Sequence, residues 1–309
     1  MLSRIAESLF WIGRYVERAD DTARLLDVQL QVLLEDPWVD EDAHSRSVLA
    51  IMGFPPPPVE EPVGRRQLLD TLAYDRTAPG SIAGALVAAR ESARRARETI
   101  STELWECLNT TWNALPAMTH GRSAYDFFQW VRERAAIVAG IVDSSTSRDE
   151  TWEFLVLGRS LERADMTARL VASRAVSGTG GASWVSLLRS GGAYEAFLRT
   201  YRGRVGDVQA AQFLLLDRYL PRSIVHALDR AEQCLAELEP GVRLPGVRED
   251  AARTLGRARS HLEYLPVTDL QTNLLAEMEA VQVACSQASD HIRARYFLAE
   301  PAVWMGEHL

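Results

Sequence analysis

Apolar residues recur at the spacing of an amphipathic helix from the start of the chain. Within residues 3–34 they fall three or four positions apart, the period that places side chains on one side of an α-helix. That apolar side carries Leu9, Ile12, Val16, Ala19, Ala23 and Leu26. The opposite side carries Gly13, Arg14, Glu17, Arg18, Asp20 and Arg24. The pattern predicts one long helix, capped by Ser3 and ended by the Asp36-Pro37 pair.

The same spacing predicts helices along nearly the whole chain. The further predicted helices cover residues 42–52, 66–74, 79–100, 103–115, 123–142, 147–176, 184–189, 194–201, 208–216, 222–238, 248–264 and 270–297. Pro79 and Pro221 suit the first turns of two of them. Residues 177–181 form a predicted loop, and no run of alternating β-branched residues predicts a strand. The predicted fold class is therefore all-α, a helical bundle.

The polar side of the first helix occurs a second time in the chain. Residues 11–26 and 156–171 share ten of sixteen amino acids at an offset of 145, with the common pattern GRxxERADxTARL. The second copy supplies Arg159, Glu162, Arg163, Asp165 and Arg169 at the positions of the charged residues in the first. A solvent-exposed face would not need the same charges in both copies. The charged face is therefore the main candidate for a functional or specific structural role.

A second match extends the repeat. The pattern LxxDRxxPxSI occurs at 72–82 and again at 214–224, an offset of 142. Two matches in the same order at similar offsets predict a tandem duplication of about 145 residues. We therefore expect residues 1–309 to form a single domain of two pseudo-repeat halves, 1–147 and 148–309, that share one core around a pseudo-twofold axis.

The charged positions leave three interpretations open. Arg14 with Arg18 has the like-charge i,i+4 spacing that requires an acid from elsewhere, and the second copy repeats this arrangement. In a structural lattice Glu17 would pair with Arg163, and Glu162 would pair with Arg18. In a binding site the spare guanidinium groups would hold an anion. In an enzyme a motif glutamate would be catalytic, although flanking arginines would keep it ionised.

The second repeated pattern is a weaker candidate for a site. Its polar residues are Asp75, Arg76, Ser81, Asp217, Arg218 and Ser223. An aspartate that ends one helix, a proline that opens the next and a serine in its first turn are typical of a helix–turn–helix connection. A structural role is therefore expected for these residues, with a functional role as the alternative.

Composition removes several classes of function. The net charge of −8 argues against nucleic-acid binding, and all 34 basic residues are arginine, so no lysine is present for Schiff-base or phosphate chemistry. Three separated cysteines and six scattered histidines give no metal-ligand spacing, so neither a metal nor a cofactor is expected. No signal peptide or membrane-spanning run is expected either, and the cytoplasm is the predicted location.

With these motifs laid out, the chain resembles the alpha-E family, a bacterial all-helical domain with a Glu-Arg signature. The resemblance rests on residues 1–20, 75–82, 148–170, 201–205, 214–224 and the closing Arg-Tyr-Phe at 295–297. One departure is Ala78, where the family commonly has asparagine before the first proline.

The resemblance also implies a functional context. Family members are typically encoded beside, or fused to, ATP-grasp enzymes of the amidoligase type, often with a transglutaminase-like peptidase nearby. The chain is therefore expected to be a non-catalytic partner of an ATP-grasp ligase on a separate chain, binding the ligase or its anionic or peptide substrate. The alternatives are an enzyme that uses Glu17 or Glu162 on a peptide or amino-acid-like substrate, and a purely structural scaffold.

Overall fold

The structure is a computed structural model, and every regular element in its described part is helical. The described residues are 1–35, 37–55, 57–58, 60–120, 122–176, 183–202, 206–239, 249–266, 269 and 272–297, and no β-strand occurs among them. The all-α prediction is confirmed. The predicted loop at 177–181 lies outside the described residues, as does Asp36.

The helices follow the predicted order closely. Along the chain they are α1 (Ser3–Glu35), α2 (Glu41–Ile51), α3 (Arg65–Leu69), α4 (Ile82–Arg95), α5 (Thr102–Thr119), α6 (Ala124–Ser145), α7 (Glu150–Val176), α8 (Trp184–Ser190), α9 (Tyr194–Tyr201), α10 (Asp207–Leu216), α11 (Ile224–Leu238), α12 (Asp250–Tyr264) and α13 (Leu274–Ile292). Two π-helical turns, Asp70–Tyr74 and Arg293–Phe297, follow α3 and α13.

The predicted role of the two prolines is wrong. Helix α4 begins at Ile82 and α11 at Ile224, so Pro79 and Pro221 lie in the preceding turns and not in the helices. The residues that cap these helices are the serines just before them. The Ser81 hydroxyl accepts a hydrogen bond from the Gly84 amide at 2.9 Å, and the Ser223 hydroxyl does the same for the third residue of α11. A serine hydroxyl at the cap accepts a hydrogen bond from a free amide of the first helical turn. A proline can only occupy that turn without supplying such an acceptor.

The helices pack as two groups joined by α1 and α7. Helix α1 packs against α4 and α6, with α5 lying between those two. Helix α7 packs against α11 and α13, and α12 contacts both. The largest helix–helix interface is that between α1 and α7, and one apolar core of buried side chains runs through both groups. Helix α2 packs on α7 and α8 packs on α1, so each short helix rests on the other group.

Two glycines set the approach of α1 and α7. A Cβ on Gly13 would lie 2.1 Å from the Leu155 carbonyl oxygen, and one on Gly158 would lie 2.0 Å from that of Phe10. The backbones therefore touch where the motifs begin. Because Gly13 lies near Leu155 and Gln29 lies near Ser173, the two helices run parallel. This close contact brings the charged sides of both motif helices together.

Candidate functional site

The charged motif residues are buried between the helices. Arg14 is 8% exposed, Glu17 is 5% exposed and Glu162 is 1% exposed. Burying an ionised group is costly unless it is paired and hydrogen-bonded. Each of these side chains must therefore find a partner from the opposite helix or from a neighbouring element.

Glu162 holds two arginines of α1. Its Oε1 accepts a hydrogen bond from Arg18 Nε at 2.5 Å, and its Oε2 accepts from Arg18 Nη2 at 3.0 Å. The same Oε2 also accepts from Arg14 Nε at 2.6 Å. The predicted pairing of Glu162 with Arg18 is confirmed. The single carboxylate of Glu162 also offsets the repulsion between Arg14 and Arg18, which lie four residues apart on α1.

Glu17 makes the reciprocal pair from α1 to α7. Arg163 donates from Nε to Glu17 Oε1 at 2.5 Å and from Nη2 to Glu17 Oε2 at 2.8 Å, which confirms the predicted pairing. Arg159, in contrast, does not repeat the contact of Arg14. It lies 3.4 Å from Asp143 of α6, at the edge of the interface.

The arginines keep both glutamates ionised despite their burial. Burial opposes ionisation of Glu17, but Arg163 and Arg222 outweigh it and lower the pKa of Glu17 to about 2. Burial likewise opposes ionisation of Glu162, whose pKa Arg18 and Arg14 lower to about 2. A carboxylate of this kind is a poor proton donor or acceptor near neutral pH.

Arg222 is the main site residue that the sequence pattern missed. Its guanidinium group pairs with Asp20 and Asp21, and its Nη1 also lies 3.4 Å from Glu17 Oε1. One signal in the sequence could have found it. Asp21 and Arg222 each occur in one copy only, with Met166 and Gly80 at the corresponding positions of the other. An acid and a base that are each unique to one copy are candidates for a pair.

The carboxyl group of Asp21, beside Glu17 and Asp20, has a strongly raised pKa. Burial raises its pKa to about 7, since Glu17 and Asp20 add to the effect of burial and only Arg222 and Arg163 oppose it. Its Oδ2 is buried and has no hydrogen-bond partner among the described residues. Oxygens of Glu17, Asp20 and Asp21 lie within 4.8 Å of one another, and the guanidinium group of Arg222 supplies the cation between them.

The last arginine of each motif binds the end of a short helix. Arg24 pairs with Asp20 at 3.0 Å and donates to the Ser190 carbonyl oxygen at 3.4 Å, at the end of α8. Arg169 pairs with Asp165 at 2.8 Å and donates to the Ile51 carbonyl oxygen at the end of α2. Cations at helix C-termini are favourable, so these arginines fix α8 and α2 in place.

The second repeated pattern builds turns. The Asp75 carboxylate accepts from the Thr77 amide at 2.8 Å, and the Asp217 carboxylate accepts from the Tyr219 amide at 2.8 Å. These are the side-chain turns expected of aspartate. The main-chain carbonyl oxygens of the same two aspartates accept hydrogen bonds from the hydroxyls of the cap serines, Ser81 and Ser223. Arg76 is exposed, and Arg218 lies 3.0 Å from Glu263. The motif residues contact these turns where Arg18 and Arg163 donate weakly to the Pro79 and Pro221 carbonyl oxygens, and where Arg222 pairs with Asp20 and Asp21.

A polar cleft opens beside the Glu162 pairs. It has a volume of about 400 Å³, its sides are α1 and α13, and its floor is α7. The lining residues are Glu7, Phe10, Trp11, Arg14, Arg18, Asp165, Arg169, Gln282, Ser286, Ser289, Asp290, Arg293 and Phe297. Clefts of this size accommodate small ligands. Three of the predicted arginines, Arg14, Arg18 and Arg169, thus lie at one accessible site.

A second cleft beside the motif helices, on the side of the other helix group, is nearly filled. It lies between α6 and α7 over α1 and measures about 30 Å³. Helix α6 lines it with Ala135, Ala139 and Val142, at the same spacing as Gln282, Ser286 and Ser289 of α13. Apolar side chains close one cleft, and polar side chains line the open one.

Comparison with known proteins gives the chain a family and a set of longer relatives. It is 25% identical to an uncharacterised protein of Mycobacterium bovis and to uncharacterised proteins of two Mycobacterium tuberculosis strains, over 94% of this chain and 36% of each relative. The chain therefore spans about a third of the length of these relatives. No solved structure matches it.

Two further observations complete the comparison. Within the described ranges, no helix combines the length and apolar composition needed to cross a membrane. The family model for Alpha-E, described as a predicted alpha-helical domain with a conserved ER motif, matches residues 1–297. Glu17-Arg18 and Glu162-Arg163 are Glu-Arg dipeptides at the centre of the interlocked pairs. The chain belongs to the Alpha-E family.

Proposed function

We propose that this chain is a non-catalytic helical component of an ATP-grasp amidoligase system, which binds the ligase or its anionic or peptide substrate through the two motif helices. The ligase would lie on a separate polypeptide, with a transglutaminase-like peptidase as a possible further member. The proposal places the chain in the cytoplasm, where ATP-dependent ligation has its co-substrate.

The observation that carries the proposal is the polar cleft between α1 and α13. Arg14 uses Nε and Nη1 in hydrogen bonds, and Arg169 uses the same two nitrogens. Neither Nη2 has an acceptor among the described residues, although both arginines line the cleft. Guanidinium groups with spare donors at the wall of a cleft suit carboxylate or phosphate recognition.

The motif glutamates themselves support a binding role over a catalytic one. Both carboxylates are fully engaged by arginines, and both have a pKa of about 2. Glu17 and Glu162 therefore act as fixed anions that orient the arginines. A purely structural scaffold would explain the buried pairs but leaves the open cleft without a role.

The relatives and the repeat add further support. In proteins where this chain matches about a third of the length, the aligned segment is joined to a longer polypeptide. An accessory module is suited to such an arrangement. We further infer that the two motif copies arose by a tandem duplication of about 145 residues, after which only one cleft stayed open.

The test is co-purification with an ATP-grasp ligase of the kind that the proposal expects to be encoded beside this chain, followed by measurement of ATP turnover with and without the chain. We expect a stable complex or a change in turnover, and we expect Arg14→Ala with Arg169→Ala to weaken either one. The matched control is Arg66→Ala, because the Arg66 side chain is 96% exposed and does not line the cleft. No complex and unchanged turnover would refute the proposal.

A further inference from the structure

An apolar groove runs along the outer surface of the molecule, between α12 and α13. It has a volume of about 430 Å³, and the buried side chains of Leu262, Val281 and Ala284 line it. At one end His261 Nε2 and Glu277 Oε2 lie 2.8 Å apart and bridge the two helices. The groove is separate from the polar cleft, because α13 presents different residues to each.

The other helix group covers the junction between its outer helices with its own side chains. Arg134 of α6 donates from Nε to the Thr111 hydroxyl of α5 at 3.0 Å, and its Nη2 lies 3.2 Å from Cys107 Sγ. Along the apolar groove the lining residues include Ala258 and Ala280, whose short side chains leave the junction between α12 and α13 uncovered.

An apolar ridge stands beside this groove on α13. Val283 is 54% exposed, and Ala276 and Ala280 are exposed seven and three residues before it, on the same face of the helix. The groove extends from Thr254 to His261 on α12, which are also seven residues apart, or about 10 Å along a helix. The ridge and the groove therefore match in length.

A groove and a ridge on one surface can serve two copies of the same chain. Two copies related by a twofold axis use the same surface patch, so each copy can place its ridge in the groove of the other. Apolar side chains of both copies would then leave water together.

Two unpaired charges on this surface also favour a second copy. Arg257 of α12 is exposed and has no ion-pair partner in the described part of the chain, whereas Arg253 and Arg259 of the same helix are paired with carboxylates. Glu279 of α13 is exposed, likewise lacks an ion-pair partner among the residues described, and lies four residues before Val283. A twofold arrangement brings each unpaired acid towards an unpaired base, and this complementarity would orient the two copies.

We propose that two copies of this chain associate through α12 and α13 about a twofold axis. The apolar ridge of each copy lies in the apolar groove of the other, and Glu279 of one copy pairs with Arg257 of the other. The proposal goes beyond the accessory function and does not depend on a ligase or on the polar cleft.

The size of the surface sets the expected strength of the dimer. Helices α12 and α13 contain 15 and 19 residues, so they are about 22 and 28 Å long. Side by side, at about 10 Å of width each, they present a face of about 500 Å². A standard stable interface buries about 800 Å² on each partner, so this dimer should be weak and concentration-dependent.

Sedimentation equilibrium of the full chain, from about 1 to 300 µM, tests the proposal. We expect a monomer–dimer equilibrium. Arg257→Glu and Glu279→Arg should each weaken the dimer by about tenfold, because each brings like charges together. The double variant should recover most of the loss, since the pair is restored with its charges exchanged. A chain that stays monomeric throughout, or assemblies that keep growing with concentration, would overturn the proposal.

A second pair of variants tests the apolar contact. Val283→Glu should abolish the dimer, because it places a carboxylate in the apolar groove. Ile137→Glu is the matched control, since Ile137 is 44% exposed on α6, and it should dimerise as the parent does. Urea denaturation at about 1 µM, where a weak dimer is dissociated, should give every variant a stability close to that of the parent. A Val283→Glu chain that still dimerises, or a double charge variant without recovery, would place the interface elsewhere and overturn the proposal.

Discussion

Two clefts of the described part of the molecule lie beside the motif helices and differ widely in volume. Between α1 and α13 lies a cleft of about 400 Å³ lined by arginines, serines and a glutamine. Between α6 and α7 lies one of about 30 Å³ lined mostly by alanine, valine and leucine. The two clefts are lined by different positions of the motif, and the outer helices α13 and α6 line them with polar and apolar side chains respectively.

The same contrast holds for the buried charges. Among the described residues Glu162 is bound by Arg14 and Arg18, and both of these arginines line the open cleft. Glu17 lies in a denser group in which Arg222 joins Asp20 and Asp21. The Glu17 group thus uses its charges internally, whereas the Glu162 group leaves donors to spare. The two Glu-Arg pairs therefore have the same form, but their surroundings differ in the number of charges they bring together.

The largest expected effect separates the two glutamates. Glu162→Gln leaves two buried arginines without their shared carboxylate, and we expect a loss of about 3–5 kcal/mol in the free energy of unfolding. Glu17→Gln should cost less, because Arg222 keeps Asp20 and Asp21, and their mutual repulsion with Glu17 is relieved. Urea denaturation of both variants measures the difference.

Glu279→Gln, an exposed position on α13, is the control for this pair and should change stability by little. Equal losses for Glu17→Gln and Glu162→Gln would mean that the two groups are energetically alike, and the contrast between them would fail.

Periodicity and charge order predicted much of this arrangement from the sequence. The apolar and polar faces of the helices follow from the spacing of apolar residues. The pairs of Glu17 with Arg163 and of Glu162 with Arg18 follow from the arginines of each motif helix, which need a carboxylate from the other helix. Both pairs could be predicted because they form between α1 and α7, the two helices that carry the repeated motif.

The remaining features depend on helices that lack a repeated motif. Arg14 bonds the half-buried Ser289 of α13 in addition to Glu162, whereas Arg159 lies against the exposed Asp143 of α6. The turn residue Arg222 was missed because the prediction used the residues that both copies share, whereas Asp21 and Arg222 each occur in one copy only. The open cleft is lined on α13 by the polar side chains of Gln282, Ser286 and Ser289. In the sequence these residues look like the polar face of any amphipathic helix, so they did not predict a cleft.

The pH dependence of the Glu17 group is the next effect in size. The folded pKa of Asp21 is raised from its ordinary value near 4 to about 7, so the protonated form favours folding. The resulting stability is present below pH 4 and is lost as the pH rises through 7. Asp21→Asn removes this loss, so its stability relative to the parent should improve by up to a few kcal/mol between pH 4 and 8.

Thermal melting of both proteins across that range checks the prediction. Glu17 and Glu162 act in the opposite sense, since their lowered pKa values lose stability as the pH falls from about 4.5 through 2, but they are common to both proteins and cancel in the comparison. Parallel melting curves would show that Asp21 does not titrate in the folded chain near neutral pH.

Substitution of the glycine on either side of the α1–α7 contact should lower the free energy of unfolding by a similar amount. Gly13→Ala and Gly158→Ala each place a methyl group against a carbonyl oxygen of the opposite backbone, which cannot move without separating α1 from α7. We expect each to cost about 1–3 kcal/mol, measured by denaturation. Gly140→Ala on α6, where a methyl group meets nothing within 4 Å, should instead stabilise by about 0.5–1 kcal/mol. Unequal losses at the two motif glycines would show that the crossing is not equivalent on its two sides.

The smallest effect concerns the polar side of the open cleft. Ser289→Ala removes the hydroxyl that accepts from Arg14 Nη1, and water in the cleft can take its place, so the expected loss is only about 1 kcal/mol. Ser286→Ala, on the same helix and in the same cleft, has an exposed hydroxyl and no protein partner among the described residues, and should cost nothing measurable. If Ser289→Ala were as destabilising as Glu162→Gln, Arg14 would depend on α13 for its place in the fold. The polar side of the cleft would then be part of the buried lattice, and the distinction between a closed and an available side of the crossing would be lost.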